Sequence, residues 1–298
     1  MFDAIHWGCT GVEADVWHFK DVDDLFVGHN MASLTKNRTF LNLYVNPLVD
    51  LLDKMNAGSE FAKTEGHGVF DVDPKQTLVL LIDFKTDGHE LFPIVSDQLG
   101  ALREKNYLSY WDGEKIVPRA VTCVGTGNTP FDSVVSNRTY RDIFFDAPLQ
   151  KLWERPRTPI DVDDPVKGED ARLSYGDAMA LPKTSSGQGS VGLDDVTSLN
   201  DFNTSTSYYA SVSFRSTVGF AWRGHLSHRQ MDIIRGQIRG AKRRGLKARY
   251  WDTPNWPVSL RNHIWHVLMK EGADVLNVDD LKAAATEDWK RRGPHEFW

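Results

Sequence analysis

The run "TLVLLIDFK", Thr77 to Lys85, is apolar almost throughout and ends on an acid and a base. A strand this continuously apolar is buried on both faces, which is the mark of a parallel sheet covered by helices. Strand-like runs of this kind recur along the chain with helical patterns between them. "GVEADVW" comes first, then a helical region from Leu43 to Asn56 with apolar residues at Leu48, Leu51, Leu52 and Met55. After Lys85 follow a helix around 92–105 and the strands "AVTCVGTG" and "DIFFDAP". Later come "YYASVSF", a helix over 227–244, "KARYWDTP", a helix over 258–271, and "ADVLNVDD". Strand and helix in alternation predict an α/β protein with a parallel sheet. Seven strands are legible, and "MFDAIHW" reads as the end of a helix that should follow an eighth. Eight such units close a TIM barrel, which takes about 250 residues. Two doubly wound domains are the rival architecture, but no glycine-rich phosphate loop or clear linker supports them.

We therefore expect one barrel domain over residues 1–298, interrupted at 155–207. That stretch contains "RPRTPIDVDDP", "KTSSGQGSVG" and "NDFNTSTS", with little periodicity. So long a loop is uncommon in a compact domain, and we place it after the fifth barrel strand, over the carboxyl mouth. A plain surface excursion is the alternative. The net charge of −6 argues against a general nucleic-acid binder. No apolar run reaches the roughly 18 residues of a membrane span. Cys9 and Cys123 lie in or beside apolar strands and read as small core residues. Acceptor tripeptides at Asn37, Asn137 and Asn203 favour the secretory route, though such patterns arise readily by chance. The sequence opens directly on "MFDAIHWGC", without a signal or transit pattern, and its start reads as cut.

Side chains two apart on a strand share a face. Glu13 and Asp15 therefore point together, with Val12, Ala14 and Val16 turned to the other side, under the helices. Two neighbouring carboxylates in an interior resist ionising unless a cation or basic groups compensate them, and a hard divalent cation is the economical solution. The plain alternative is a pair of surface acids. Asp83 and Lys85 are again two apart, at the carboxyl end of their strand, where barrel active sites lie. Asp83 can complete a three-carboxylate site, and Lys85 can meet an anionic substrate; an internal salt bridge is the alternative. His29, beside Gly28, can serve as an acid or base next to a metal-bound phosphate. Trp251, Asn277 and Asp279 add an aromatic and polar groups at later strand ends. In "RGQIRGAKRRGLKAR", Met231, Ile234, Ile238 and Ala241 recur at helical spacing, so the cations take the solvated face.

"GCTGVEADVW…LFVGHN", "LLIDFKT", "SYYASVSF", "RGLKARYWDTPNWP" and "GADVLNVDDL" resemble the fungal family named for altered inheritance of mitochondria protein 6. That resemblance spans the whole chain and implies a phospholipase-C-like phosphodiesterase barrel, related to glycerophosphodiester phosphodiesterases and sphingomyelinase D. It implies Glu13, Asp15 and Asp83 as ligands of a divalent cation, Mg²⁺ ahead of Ca²⁺, with His29 as one catalytic histidine. Lys85 becomes a catalytic phosphate contact, and Trp251 and Asn277 line the substrate side. The substrate implied is a phospholipid or glycerophosphodiester, with peripheral membrane contact and no nucleic acid. In the family a first strand carries a second histidine, just ahead of the helix that matches "MFDAIHWGC". Met1 falls inside that helix, and His6 belongs to the helix rather than to a strand end. The expectation is a barrel without strand one and with half of its acid–base pair, hence slow turnover that an upstream segment would restore. A non-catalytic barrel binding lipid head groups or a protein partner, and a glycoside hydrolase, are the rival readings.

Overall fold

The computed structural model describes residues 1–20, 22, 24–58, 66–155, 198–221, 224–287 and 289. The chain gathers into two units, Met1–Asp146 with Gln188–Tyr208 and Ala147–Gly187 with Tyr209–Trp298.

In the first unit, α1 (Phe2–His6) leads into β1 (Gly11–Trp17) and the short β2 (Phe26–Val27). A π-helical turn, Leu41–Val45, feeds α2 (Asn46–Met55), and β3 (Leu78–Phe84) follows. Next come α3 (Gly88–Gln98), α4 (Gly100–Glu104), and a two-stranded ribbon of β4 (Tyr110–Trp111) and β5 (Ile116–Val117). The unit continues with β6 (Val121–Gly127), α5 (Phe131–Val135) and β7 (Ile143–Pro148). Its sheet runs β7-β6-β3-β1-β2, parallel except for β2.

Strands β3, β6 and β7 are buried at every residue, which is what the apolar run at Leu78–Phe84 demands. Leu78, Leu80, Ile82 and Phe84 join Ala14 and Val16 in one core with Leu48 and Leu52 of α2 and Leu91 and Val95 of α3. Each Val, Leu, Ile or Phe among them contributes roughly 1.5–3 kcal/mol through burial. The helices thus lie over one face of β1 and β3, as the alternation predicts for Ala14 and Val16. Glu13, Asp15 and Asp83 take the other face.

α3 begins four residues earlier than the apolar pattern suggests. Asp87 caps it, accepting from the amides of His89 and Glu90. Gly88 is required there because a Cβ would stand 1.8 Å from the Asn128 carbonyl oxygen. Leu99 then separates α3 from α4, where one continuous helix was expected.

In the second unit, β8 (Ser207–Ser213), β9 (Lys247–Trp251) and β10 (Val275–Leu276) are parallel neighbours. Between them run α6 (Phe214–Thr217), α7 (His228–Arg243) and α8 (Val258–Glu271), and α9 (Leu281–Thr286) follows β10. Ser227 and Gln230 form a reciprocal capping box at the start of α7. The helix buries Ile233, Ile234, Gln237, Ile238 and Ala241 and turns Arg235, Lys242 and Arg243 outward, as its periodicity predicts. Gly272 ends α8 in the left-handed conformation.

All seven strands read from the sequence are present, and the main strands of each unit are parallel. Of the insertion expected at 155–207, residues 156–197 lie outside the described residues. Its end forms a short 3₁₀ turn, Leu199–Asp201, and reaches the first residue of β8. No described helix is long and apolar enough to cross a membrane. Cys123 is buried and Cys9 half-buried; both are free, and burial pushes each thiol's pKa up.

Candidate metal centre

β1 and β3 pair in a register that sets Asp15 beside Asp83 and Glu13 beside Leu81. Partners across a parallel pair share a face, so Glu13, Asp15 and Asp83 emerge on one side near the carboxyl ends of both strands. One carboxylate oxygen from each lies within 4.8 Å of the other two. Glu13 is exposed, Asp15 half-buried and Asp83 buried, so the cluster opens outward from a closed floor.

Lys85 reaches back onto this cluster. Its Nζ stands 3.0 Å from Asp15 Oδ1 and donates a short hydrogen bond to Asp83 Oδ2. Burial lowers the affinity of the Lys85 amine for its proton, but Asp83 and Asp15 more than reverse this and raise its pKa. Asp83 is pushed up to about 6, first by burial and then by the charges of Glu13 and Asp15, against the opposing pull of Lys85. An ion pair alone would lower the acid while raising the base. Asp83 moves up because its burial cost exceeds what one ammonium returns.

The donor set fits a divalent cation on two counts. Three carboxylates and one ammonium leave two negative charges, and the oxygen donors are those that hard cations select. Asp83 Oδ1 is also buried without a hydrogen-bond partner, an acceptor that a cation can satisfy. Gly127 makes room for it. With φ at +65°, it approaches so closely that a Cβ would lie 2.1 Å from Asp83 Oδ1.

His29 borders the cluster from the loop after β2, with Nδ1 3.8 Å from Asp15 Oδ2 and its side chain 74% exposed. The loop is held in place because the Gly28 amide donates to the Asp15 carbonyl and Trp17 Nε1 donates to the Gly28 carbonyl. Asn30 and Ser33 cap the turn that follows.

Trp251 and Asn277 belong to the second unit. Trp251 is the half-buried last residue of β9. Asn277, just beyond β10, accepts from Arg249 Nη2 at 2.7 Å. Asp279 is exposed. The basic face of α7 borders an open groove of about 430 Å³ with Glu271, and none of the candidate site residues lines it.

Two further residues escaped the sequence reading. Tyr44 Oη donates to the Glu13 carbonyl at 2.6 Å, and burial, then Asp15 and Glu13, push its pKa up to about 12. Nothing in "LNLYVNP" marks it. Asp146 is fully buried and, by alternation from Phe144 in β7, shares the face of Asp83. Its signal was available, since it interrupts "IFFDAP" as Asp83 interrupts "LLIDFK".

A family model described as an AIM6-like phosphodiesterase domain matches residues 1–146, the stretch that holds Glu13, Asp15, His29, Asp83 and Lys85. The chain is 36% identical over 286 residues to the altered inheritance of mitochondria protein 6 homolog of Arthroderma benhamiae, covering 94% of this chain and 75% of that protein. Its identity to altered inheritance of mitochondria protein 6 of Eremothecium gossypii is 32% over 291 residues, 96% of this chain and 65% of the relative. Against the Saccharomyces cerevisiae protein it is 29% over 292 residues, 96% and 67%. The chain thus spans about two thirds to three quarters of these relatives. No solved structure gives a significant match. The chain belongs to the altered inheritance of mitochondria protein 6 family.

Proposed function

We propose that the chain is built to cleave phosphoric diesters with a divalent cation, Mg²⁺ ahead of Ca²⁺, on a barrel of the phosphodiesterase type. A phospholipid or glycerophosphodiester is the substrate class. The observation that carries this reading is the convergence of Glu13, Asp15 and Asp83, with one carboxylate oxygen of each within 4.8 Å of the other two, next to a lysine. The phosphodiesterase-domain match over the same residues supports it. A cation held by the three carboxylates would neutralise a non-bridging phosphate oxygen and orient the diester.

The remaining roles fall to the chain's own groups. Lys85 Nζ offers a donor to a second phosphate oxygen while staying anchored on Asp15 and Asp83. The exposed imidazole of His29 can reach an incoming or departing oxygen and exchange its proton there. Glu13 and Asp15 sit toward solvent, where a substrate approaches, and Asp83 fixes the floor.

A second reading has one observation on its side. Lys85 already bridges Asp15 and Asp83, so the cluster can stand as a structural ion network on a barrel that binds lipid head groups without cleaving them. Turnover of a chromogenic phosphodiester separates the two. Chelator-sensitive turnover, restored by added Mg²⁺ and lost in Asp15→Ala, supports the hydrolase. Vesicle binding with no turnover under either condition supports the binder.

A further inference from the structure

The second unit exposes two large aromatic side chains at one end of its sheet. Phe220 is 72% exposed on the loop after β8 and α6, and Trp256 is 81% exposed on the loop after β9. Val258, 53% exposed, follows Trp256 as the first residue of α8. β8 and β9 are hydrogen-bonded and parallel, so both loops leave the same end of the sheet. Neither aromatic is on a slack segment. Gln230 Nε2 donates to the carbonyls of Val218 and Phe220, which fixes the first loop against the start of α7. Trp256 directly precedes Pro257, the N-cap of α8.

The segments that carry these side chains hold few acids. Residues 214–231 contain no Asp or Glu, and Arg215, His225, His228 and Arg229 lie among them. The first turns of α7 and α8 carry no acid. Asp252 is the one acid on the two loops, and it is occupied by Ser213 and by Arg215 at 3.6 Å. In a chain of net charge −6, this is a local reversal. Projecting aromatics amid cations match the interface of an anionic bilayer, where Trp and Phe settle at the head-group level and cations meet phosphate.

We propose that Phe220, Trp256 and Val258 form a docking surface that seats the protein on an anionic phospholipid bilayer. This deepens the phospholipid reading above and rests on it for the choice of a bilayer over another apolar partner. The aromatics stand on loop tips and not in a groove, which suits insertion between head groups.

Co-sedimentation of the full chain with vesicles tests it, using phosphatidylcholine alone and with about 30% phosphatidylserine. The expected result is binding to the anionic vesicles, weakened by roughly 30-fold in Phe220→Ser/Trp256→Ser, the effect of losing two half-inserted aromatics. Trp256→Tyr, which keeps an interfacial aromatic, should retain most of the binding, and that contrast stands even if the double variant folds poorly. Binding should persist in chelator, so that failure of the hydrolase reading stays separate from failure of docking. The proposal is overturned if the wild type ignores anionic vesicles, or if the well-folded double variant binds them unchanged. It is equally overturned if the aromatics prove to mediate a dimer that the double variant abolishes.

Discussion

Asp83→Asn should make the protein more stable without metal and unable to gain stability from metal. Asp83 is 3% exposed, and its carboxyl is pushed up to about 6 by burial and by Glu13 and Asp15. An unfolded aspartate ionises near pH 4, so ionising Asp83 inside the fold costs about 3 kcal/mol. The sign follows from the direction. A folded pKa above the unfolded one favours the folded state below about pH 4, and that advantage is lost as pH rises through 6. At pH 8 the full cost is present, and a neutral amide of the same shape removes it. Part of the gain is given back, because Lys85 loses one charged partner, though Asp15 remains at 3.0 Å. The net expectation is a gain of about 1–3 kcal/mol at pH 8 in chelator, a melting-temperature rise of roughly 2–8 °C. The gain should shrink towards zero by pH 4. Saturating Mg²⁺ should offset that gain or reverse the order, since a ligand at 100 times its Kd adds about 2.7 kcal/mol to the wild type alone. Differential scanning fluorimetry across pH, with chelator and with Mg²⁺, reads all of this. A variant less stable than the wild type at pH 8 in chelator, or an offset independent of pH, would falsify the account of Asp83.

Asp15→Ala should abolish the Mg²⁺-induced melting shift, because one of three ligands and one of three negative charges are gone; thermal scans with Mg²⁺ read the loss. Asp50→Ala, on the exposed face of α2, should leave the shift intact. Asp53, on the same helix, is no such control, since it accepts from Tyr107 and pairs with Lys105 at 3.0 Å. Gly127→Ala should cost about 2–4 kcal/mol in urea unfolding and weaken cation binding, because the new Cβ meets Asp83 Oδ1 and the Phe84 carbonyl at φ +65°. Asp142→Asn should cost about 2–3 kcal/mol in the same assay, since the buried carboxylate accepts from Arg103 and Tyr140.

The strands were legible because burial on both faces leaves no polar positions to confuse with a helix. Leu78–Phe84 and Ile143–Pro148 are of this kind, each broken by a single acid. β2 and the β4–β5 ribbon were not legible, because two residues carry no period. The start of α3 was hidden for another reason. Gly88 and Pro93 argue against helix locally, and the fact that decides for it, the nearness of the Asn128 carbonyl, lies 40 residues away in sequence. The cap at Asp87 was the one local signal, and a single Asp before Gly reads equally well as a turn.

Alternation along β1 and β3 shows which side chains share a face, and that much of the site could be taken from spacing. Register is different, because it is a property of two strands together. Pairing Asp15 with Asp83 closes the three carboxylates to within 4.8 Å, whereas a shift of two residues along the strand would keep the face and open the cluster by about 7 Å. The sequence placed Lys85 on that face as a contact for an anionic substrate. In the folded chain its ammonium is committed first to Asp15 and Asp83. A lysine has three donors, so two commitments leave one. Charge makes the same point. Without Lys85 the cluster would carry three negative charges on a half-closed floor; with it, two remain, the charge of one divalent cation. On the proposed cation reading the lysine would set the valence the site can hold, and an arginine there, rigid and forked, would not reproduce the arrangement.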